Sequence, residues 1–252
     1  MDEVQVDVIA DPDLEEPVLI EGLPGVGHVG KLAAEHLIEE LESEPVRRVH
    51  SEYFPPQVTV GEEGVAELAG VEFHAIETGA RDLLVLAGDY QANGMAGHYR
   101  VAEGFLDIAE AFGTEEIITL GGVPTGEIQE EYAVVGARNE SGDRDRFEEG
   151  GVAFDTDEPS GGIVGTSGLL LGLGERRGIP AICLMGETSG YLVDPASAKA
   201  VLEVLEAVLE FEVDFTRLEQ RAEELEEFLA EFQEQQSQGP QAPGDEDLRY
   251  FG

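Results

Sequence analysis

The stretch Val18-Leu-Ile-Glu-Gly-Leu-Pro-Gly-Val-Gly-His-Val-Gly-Lys31 decides the fold. Its first four residues, Val18–Glu21, introduced by Pro17, read as a short buried strand. Leu32 to Leu41 then places Leu37, Ile38 and Leu41 on one helical face. The glycines fall between the two. A strand, a glycine loop and a helix in this order open a βαβ connection, in which the loop turns the chain back over one face of a sheet.

The same alternation returns downstream. Arg81-Asp82 introduces Leu83–Ala87, a continuous apolar run expected of a central parallel strand. Gln57–Val60, after the break at Pro55-Pro56, Val71–Ile76, Tyr132–Ala137 and Ile179–Met185 read as further strands, and so does Ile117–Leu120, ending at Gly121-Gly122. Gly97–Phe112 reads as a helix closed by Gly113; Ser167–Leu173 and Pro195–Phe211 also read as helical. Asn139–Pro159 is polar, charged and glycine-containing, which predicts a long surface loop or hairpin. The pattern predicts an α/β fold, a three-layer α/β/α sandwich over residues 1–212.

From Phe215 the period changes. Phe215, Leu218, Ala222, Leu225, Leu229 and Phe232 recur every three or four residues with polar residues between, which predicts an amphipathic helix over 213–236. It packs on its own domain or pairs with a sister helix. Residues 237–252 read as a flexible linker rich in Gln, Gly, Pro and acids, ending in Leu248-Arg-Tyr-Phe-Gly252. A leucine and two aromatics at the end of a polar tail cost solubility unless something uses them.

Composition bounds the function. The chain has 252 residues, 14 Lys+Arg against 55 Asp+Glu, and a formal net charge of −41; its only lysines are Lys31 and Lys199. The acids are spread through regular apolar patterns, which argues for a surface hydrated in concentrated salt, where screening suppresses self-repulsion. No basic patch exists to neutralise phosphates, so nucleic acid is excluded as a partner. A single cysteine, Cys183, rules out an intrachain disulfide and a multi-thiolate zinc site, and its apolar strand makes it an inert core residue. Met1-Asp-Glu-Val does not read as a signal peptide, and no apolar run reaches the ~18–20 residues of a membrane span. The expectation is a cytoplasmic protein.

The glycine loop is the first candidate site. Gly25-Val-Gly-His-Val-Gly30 satisfies G-x-G-x-x-G between a strand and a helix, and Gly25 to Lys31 matches a Walker A loop except at Leu32, where a magnesium-binding Ser or Thr belongs. Leucine cannot ligate the metal. The loop serves tight turning and close helix approach, holds a dinucleotide or small anion, or, against the missing hydroxyl, serves nucleotide hydrolysis. Gly25, Gly27, His28, Gly30 and Lys31 are its candidate residues. Asp89 and Gln91 after the Leu83–Ala87 strand, and Glu187 after the Ile179–Met185 strand, occupy the strand ends where α/β folds gather polar groups. The five histidines are not spaced as metal ligands and read as surface or capping residues. Ser167, in Gly-Thr-Ser-Gly168, misses the nucleophile elbow G-x-S-x-G. No cofactor is called for.

Taken together, Glu21-Gly-Leu-Pro-Gly-Val-Gly-His-Val-Gly-Lys31, Ala87-Gly-Asp-Tyr-Gln91, Leu120-Gly-Gly122 and Leu184-Met-Gly-Glu-Thr-Ser-Gly-Tyr-Leu-Val-Asp-Pro195, running into the heptads, make this chain resemble the proteasome assembly chaperone 2 family. The acid-rich, lysine-poor composition makes it look like a haloarchaeal member. The resemblance implies a nucleoside-phosphorylase-like fold without established enzymatic activity, self-association into a homo-oligomer, and ATP-independent work on the 20S proteasome. It further implies docking through a C-terminal hydrophobic–tyrosine–any motif between neighbouring α-subunits. Leu248, Tyr250, Phe251 and Gly252 would be the docking residues, with Tyr250 in the hydrophobic place and the Gly252 carboxylate at the end. Phe251 in the tyrosine's place keeps the ring and loses a phenol hydrogen bond worth ~0.5–1.5 kcal/mol. The alternative of a different class is a small-molecule enzyme, a nucleoside-phosphorylase-like transferase or a ligase, using the glycine loop with Asp89 or Glu187.

Overall fold

The computed structural model describes residues 3–61, 64–127, 131–154 and 162–225. Ten strands are formed: β1 (Val4–Val8), β2 (Val18–Gly22), β3 (Ser43–Ser51), β4 (Val58–Val60), β5 (Ala66–Leu68), β6 (Val71–Ile76), β7 (Leu83–Gly88), β8 (Glu116–Pro124), β9 (Val134–Arg138) and β10 (Ala181–Thr188). Among the described residues they are accompanied by α1 (Val29–Glu40), α2 (Gly94–Ala111), α3 (Arg144–Glu149), α4 (Gly165–Arg177) and α5 (Pro195–Leu209), and by a further helical stretch over 216–225. Eight strands make one sheet in the order β1-β3-β6-β7-β2-β8-β10-β9, and β4 and β5 pair as a separate ribbon.

The sheet is parallel only at its centre. β7, β2, β8 and β10 run together, while β1, β3 and β6 on one side and β9 on the other are antiparallel additions. The central strands are buried on both faces, which is why Val18–Ile20 of β2 and most of β7 read as apolar runs. Alternation assigns their side chains to two cores. Val18, Ile20, Val85, Ile118 and Leu184 pack with α1 and α5; Leu19, Leu84, Leu86, Ile117 and Met185 pack with α2 and α4. The molecule is thus the three-layer arrangement expected, around a mixed sheet.

Several expectations shift. α1 begins at Val29, three residues before Leu32, after a 3-10 turn over Val26–His28. Gly121-Gly122 does not end its strand; β8 continues to Pro124. Gly122 is needed there because a Cβ at that position would strike the Val26 carbonyl and the Thr188 and Val29 side chains. The Asn139–Pro159 region is not all loop: Asp143 caps α3 by accepting from Arg146 N–H at 3.2 Å, and Phe147 is fully buried. β1 and β3 were not expected. In β3, Pro45 and the Arg47-Arg48 pair hide the alternation, and an irregularity between Pro45 and Arg47 lets the strand pair with β6. Glu116, buried at the start of β8, holds Arg81 at 2.6 Å and also Arg146 of α3, which pins α3 to the sheet edge.

Residues 216–225 are helical. Leu218 is fully buried, and Phe215 stacks on His36 with ring centroids 6.2 Å apart. His36 Nε2 lies 2.8 Å from the Asp214 carbonyl, so this histidine is a buried anchor and not a surface or capping group. Lys199 meets Glu219 at 2.7 Å and Arg217 meets Glu39 at 2.9 Å. This part of the heptad pattern packs on α1 and α5 of its own domain. Leu229 and Phe232 lie outside the described residues, as do Leu248, Tyr250, Phe251 and Gly252.

Candidate functional site

The C-terminal ends of the parallel strands gather at one rim, where an open α/β sheet places its crevice. Chain order reverses there, since β2 leads towards β7 and β8 leads towards β10. A cleft of about 680 Å³ opens at this point on the α2–α4 side. Its walls are Leu23–Val26 after β2, Gln91–Asn93 after β7, the second half of β8 and the start of α4.

The glycine loop is shaped by packing. Gly27 takes φ 61° with Thr188 against it, and a Cβ on Gly30 would overlap the Leu120 carbonyl oxygen. Gly25 borders the cleft, whereas His28 is exposed, itself in a left-handed conformation. Lys31 does not reach towards the cleft. Its Nζ is 2.5 Å from Glu35 and 3.0 Å from Asp89, and both acids line a groove on the α1 side of the sheet. Glu187 is half-buried and does not border the cleft. Of the residues singled out in the sequence, Gly25 and Gln91 therefore come together at the cleft, and Lys31 and Asp89 come together outside it.

Gln91 acts as a clamp. Its Nε2 donates to the Pro24 carbonyl at 2.6 Å, and its Oε1 accepts from the Thr166 N–H at 3.2 Å. One amide thus ties the glycine loop to the first turn of α4, which leaves the helix start partly capped from a different strand.

The more pointed chemistry lies in residues the sequence did not mark as a site. Glu21, at the end of β2, shares the face of Leu19 and is fully buried. Ser167 Oγ donates to its Oε2 at 2.8 Å and the Leu23 N–H to its Oε1 at 3.1 Å. No cation joins them among the described residues. Burial therefore dominates and lifts the carboxyl from 4.5 to about 7, against the lowering effect of the two hydrogen bonds. Glu21, Thr119 and Cys183 are in register across β2, β8 and β10, a polar row through the middle of an apolar sheet. Burial pushes the Cys183 thiol up to about 12, so it stays protonated and unreactive. Thr119 Oγ1 has no conventional hydrogen-bond partner, and the adjacent thiol offers only a weak sulfur contact. No group of His, Cys, Asp and Glu among the described residues is arranged to hold a metal ion, and none of the described helices is long and apolar enough to cross a membrane.

The PAC2 family profile matches residues 19–233. The chain belongs to the PAC2 family. A crystal structure of Pyrococcus furiosus PbaB, described as an archaeal proteasome activator, superposes with a TM-score of 0.87 at 41% identity, covering 92% of this chain and 100% of that one. Pyrococcus furiosus PbaA, described as an archaeal homolog of proteasome-assembly chaperone, superposes with a TM-score of 0.74 at 29% identity, covering 92% and 93%. An uncharacterized protein of Methanocaldococcus jannaschii is 43% identical over 244 residues, 95% of this chain and 93% of its own length. The family resemblance drawn from the ordered glycine-rich blocks is thereby borne out, and the three relatives named here are archaeal.

Proposed function

We propose that this PAC2-family chain is an ATP-independent binding or assembly factor of the 20S proteasome, cytoplasmic and non-enzymatic, which docks on the α-subunits through its C-terminal tail. The observation that carries the reading is the likeness to PbaB over the whole of that chain, at 41% identity. Lys31 supports the ATP-independent part, since it is occupied by Glu35 and Asp89 and not free to meet a phosphate at the loop.

The tail supplies anchors of the right kind. Leu248, Tyr250 and Phe251 offer apolar and aromatic groups, and the Gly252 carboxylate can pair with a basic pocket between neighbouring α-subunits. Self-association would multiply the tails and add avidity. The β4–β5 ribbon favours it: Val58, Val60 and Leu68 lie on one face and are about half exposed or more. The charge of −41 supports a salt-rich, haloarchaeal interior as the setting.

The test is capture of 20S α-subunits from high-salt buffer by the full-length chain and by a chain ending at Asp247. Full-length capture that is lost on truncation supports tail docking. Equal capture by both forms would sink it while leaving a proteasome role intact, and no capture by either would remove that role.

A further inference from the structure

The cleft on the α2–α4 side carries chemistry that the tail reading does not use. Charged residues make up 27% of the chain, yet among the described residues none that borders this space is Asp, Glu, Lys or Arg. On a molecule with a net charge of −41, this is a place where the acidic surface is interrupted. A phosphate, carboxylate or ammonium group entering it would shed water and find no Asp, Glu, Lys or Arg in the described walls, where the only imidazole is that of His98. Glu21, the acid behind the wall, is fully buried and already accepts two hydrogen bonds.

What remains is neutral and hydrogen-bonding in part and apolar in part. Ser167 gives its hydroxyl proton to Glu21, so its lone pairs are left to accept. The chain ligand N–H, Ser167 O–H, Glu21 carboxylate would be polarised in one direction, each bond strengthening the next. Val123 and Met185 add apolar surface beside the Cys183 thiol, and Gly121-Gly122 leaves a bare strip of strand in the lining. Val164 and Val26 stand exposed at the mouth. The volume, about 680 Å³, is in the range of small-molecule sites.

We propose that this cleft binds a small uncharged molecule with a flat, largely apolar body and an N–H or O–H edge, the edge donating to Ser167 Oγ and the body lying over Gly121 and Met185. The site is independent of the tail, so its failure would leave the proteasome reading untouched.

Matched pairs of neutral aromatic amides and their acids provide the probe: benzamide with benzoate, nicotinamide with nicotinate, and indole-3-carboxamide with its carboxylate. Saturation-transfer NMR on the full-length chain in high salt should show transfer to the amides, and binding of the acids weaker by at least ~10-fold. Gly121→Val fills the bare strip, and its Cβ meets only Met185, at 3.7 Å; it should abolish transfer without moving the unfolding midpoint. Ser167→Ala should weaken the amides by roughly 5–10-fold. If Gly121→Val lowers the midpoint, Ser167→Ala decides. The proposal is overturned by no amide signal, by equal signal from the acids, or by amide affinity unchanged in Ser167→Ala.

Discussion

Ser167, in the first turn of α4, donates to Glu21, near the end of β2, across 2.8 Å, and so links that helix to the central sheet. A carboxyl buried without a cation is held there by hydroxyl and amide donors alone. Its protonation therefore changes near neutral pH, and the stability of the protein changes with it.

Glu21 is raised to about 7 in the fold and stands at 4.5 without it. Below pH 4.5 the group is protonated in both states and makes no difference. As pH rises from 4.5 through 7, the unfolded chain ionises and the folded one resists, so stability declines by about 3 kcal/mol over that window. Glu21→Gln keeps the hydrogen-bonding shape and removes the ionisation. It should match the parent at pH 4.5 and exceed it by up to about 3 kcal/mol at pH 8, measured by urea unfolding at fixed high salt. A constant difference at both pH values would refute the assignment.

The Gln91 clamp has a local signature. Gln91→Ala removes the bonds to Pro24 and Thr166 and should cost about 2 kcal/mol. Hydrogen exchange of the Thr166 amide should quicken well beyond what the global loss accounts for.

Neighbouring loop positions should respond very differently. Gly30→Ala drives a Cβ into the Leu120 carbonyl oxygen, where backbone has to give, and should cost about 3 kcal/mol or more. Gly25→Ala meets nothing nearer than 4.0 Å and should be nearly neutral. Lys31→Ala loses partly exposed ion pairs and should cost less than about 1 kcal/mol. Denaturant midpoints of the three variants check the order, and a severe Lys31→Ala would contradict it.

Glu116 is buried between Arg81 and Arg146. Glu116→Gln leaves two guanidinium groups facing a neutral amide and should destabilise by about 3 kcal/mol. Loss of protection around α3, read by limited proteolysis, should accompany it; intact α3 with full stability would show the pairs to be incidental.

Salt should stabilise the parent chain. The Debye length falls from about 10 Å at 0.1 M to about 3 Å at 1 M, which screens much of the repulsion behind a charge of −41. The melting midpoint should climb steadily as KCl is raised over that range, and a flat profile would count against salt adaptation.

How far the sequence carried this picture depended on whether a signal was local. Val18–Glu21 and Leu83–Ala87 were legible because strands buried on both faces are apolar along most of their length. Gly30 was legible as a packing glycine since the helix that follows it has to approach a strand. β3 was not, because its Arg47 and Arg48 find partners in Asp11 and Glu72, which only the fold brings near. α3 was missed because a single turn stabilised by Phe147 burial has too little periodicity to register. Glu21 and Ser167 stand 146 residues apart and match no motif, so neither looked reactive until the sheet and α4 met. Lys31 misled for the converse reason. Its place beside the glycines suggested a phosphate, while the turn into α1 aims it at Glu35 and Asp89.

The pairing of β2 also sets a timetable. Val18 lies between Leu83 and Glu116, so the strand at the heart of the sheet leaves the ribosome long before either neighbour exists. Its Leu19 and Ile20 must wait, exposed and sticky, until β7 and then β8 are synthesised. Nascent chains that stall before Pro124 should therefore aggregate, so the chain would need shelter while it is being made.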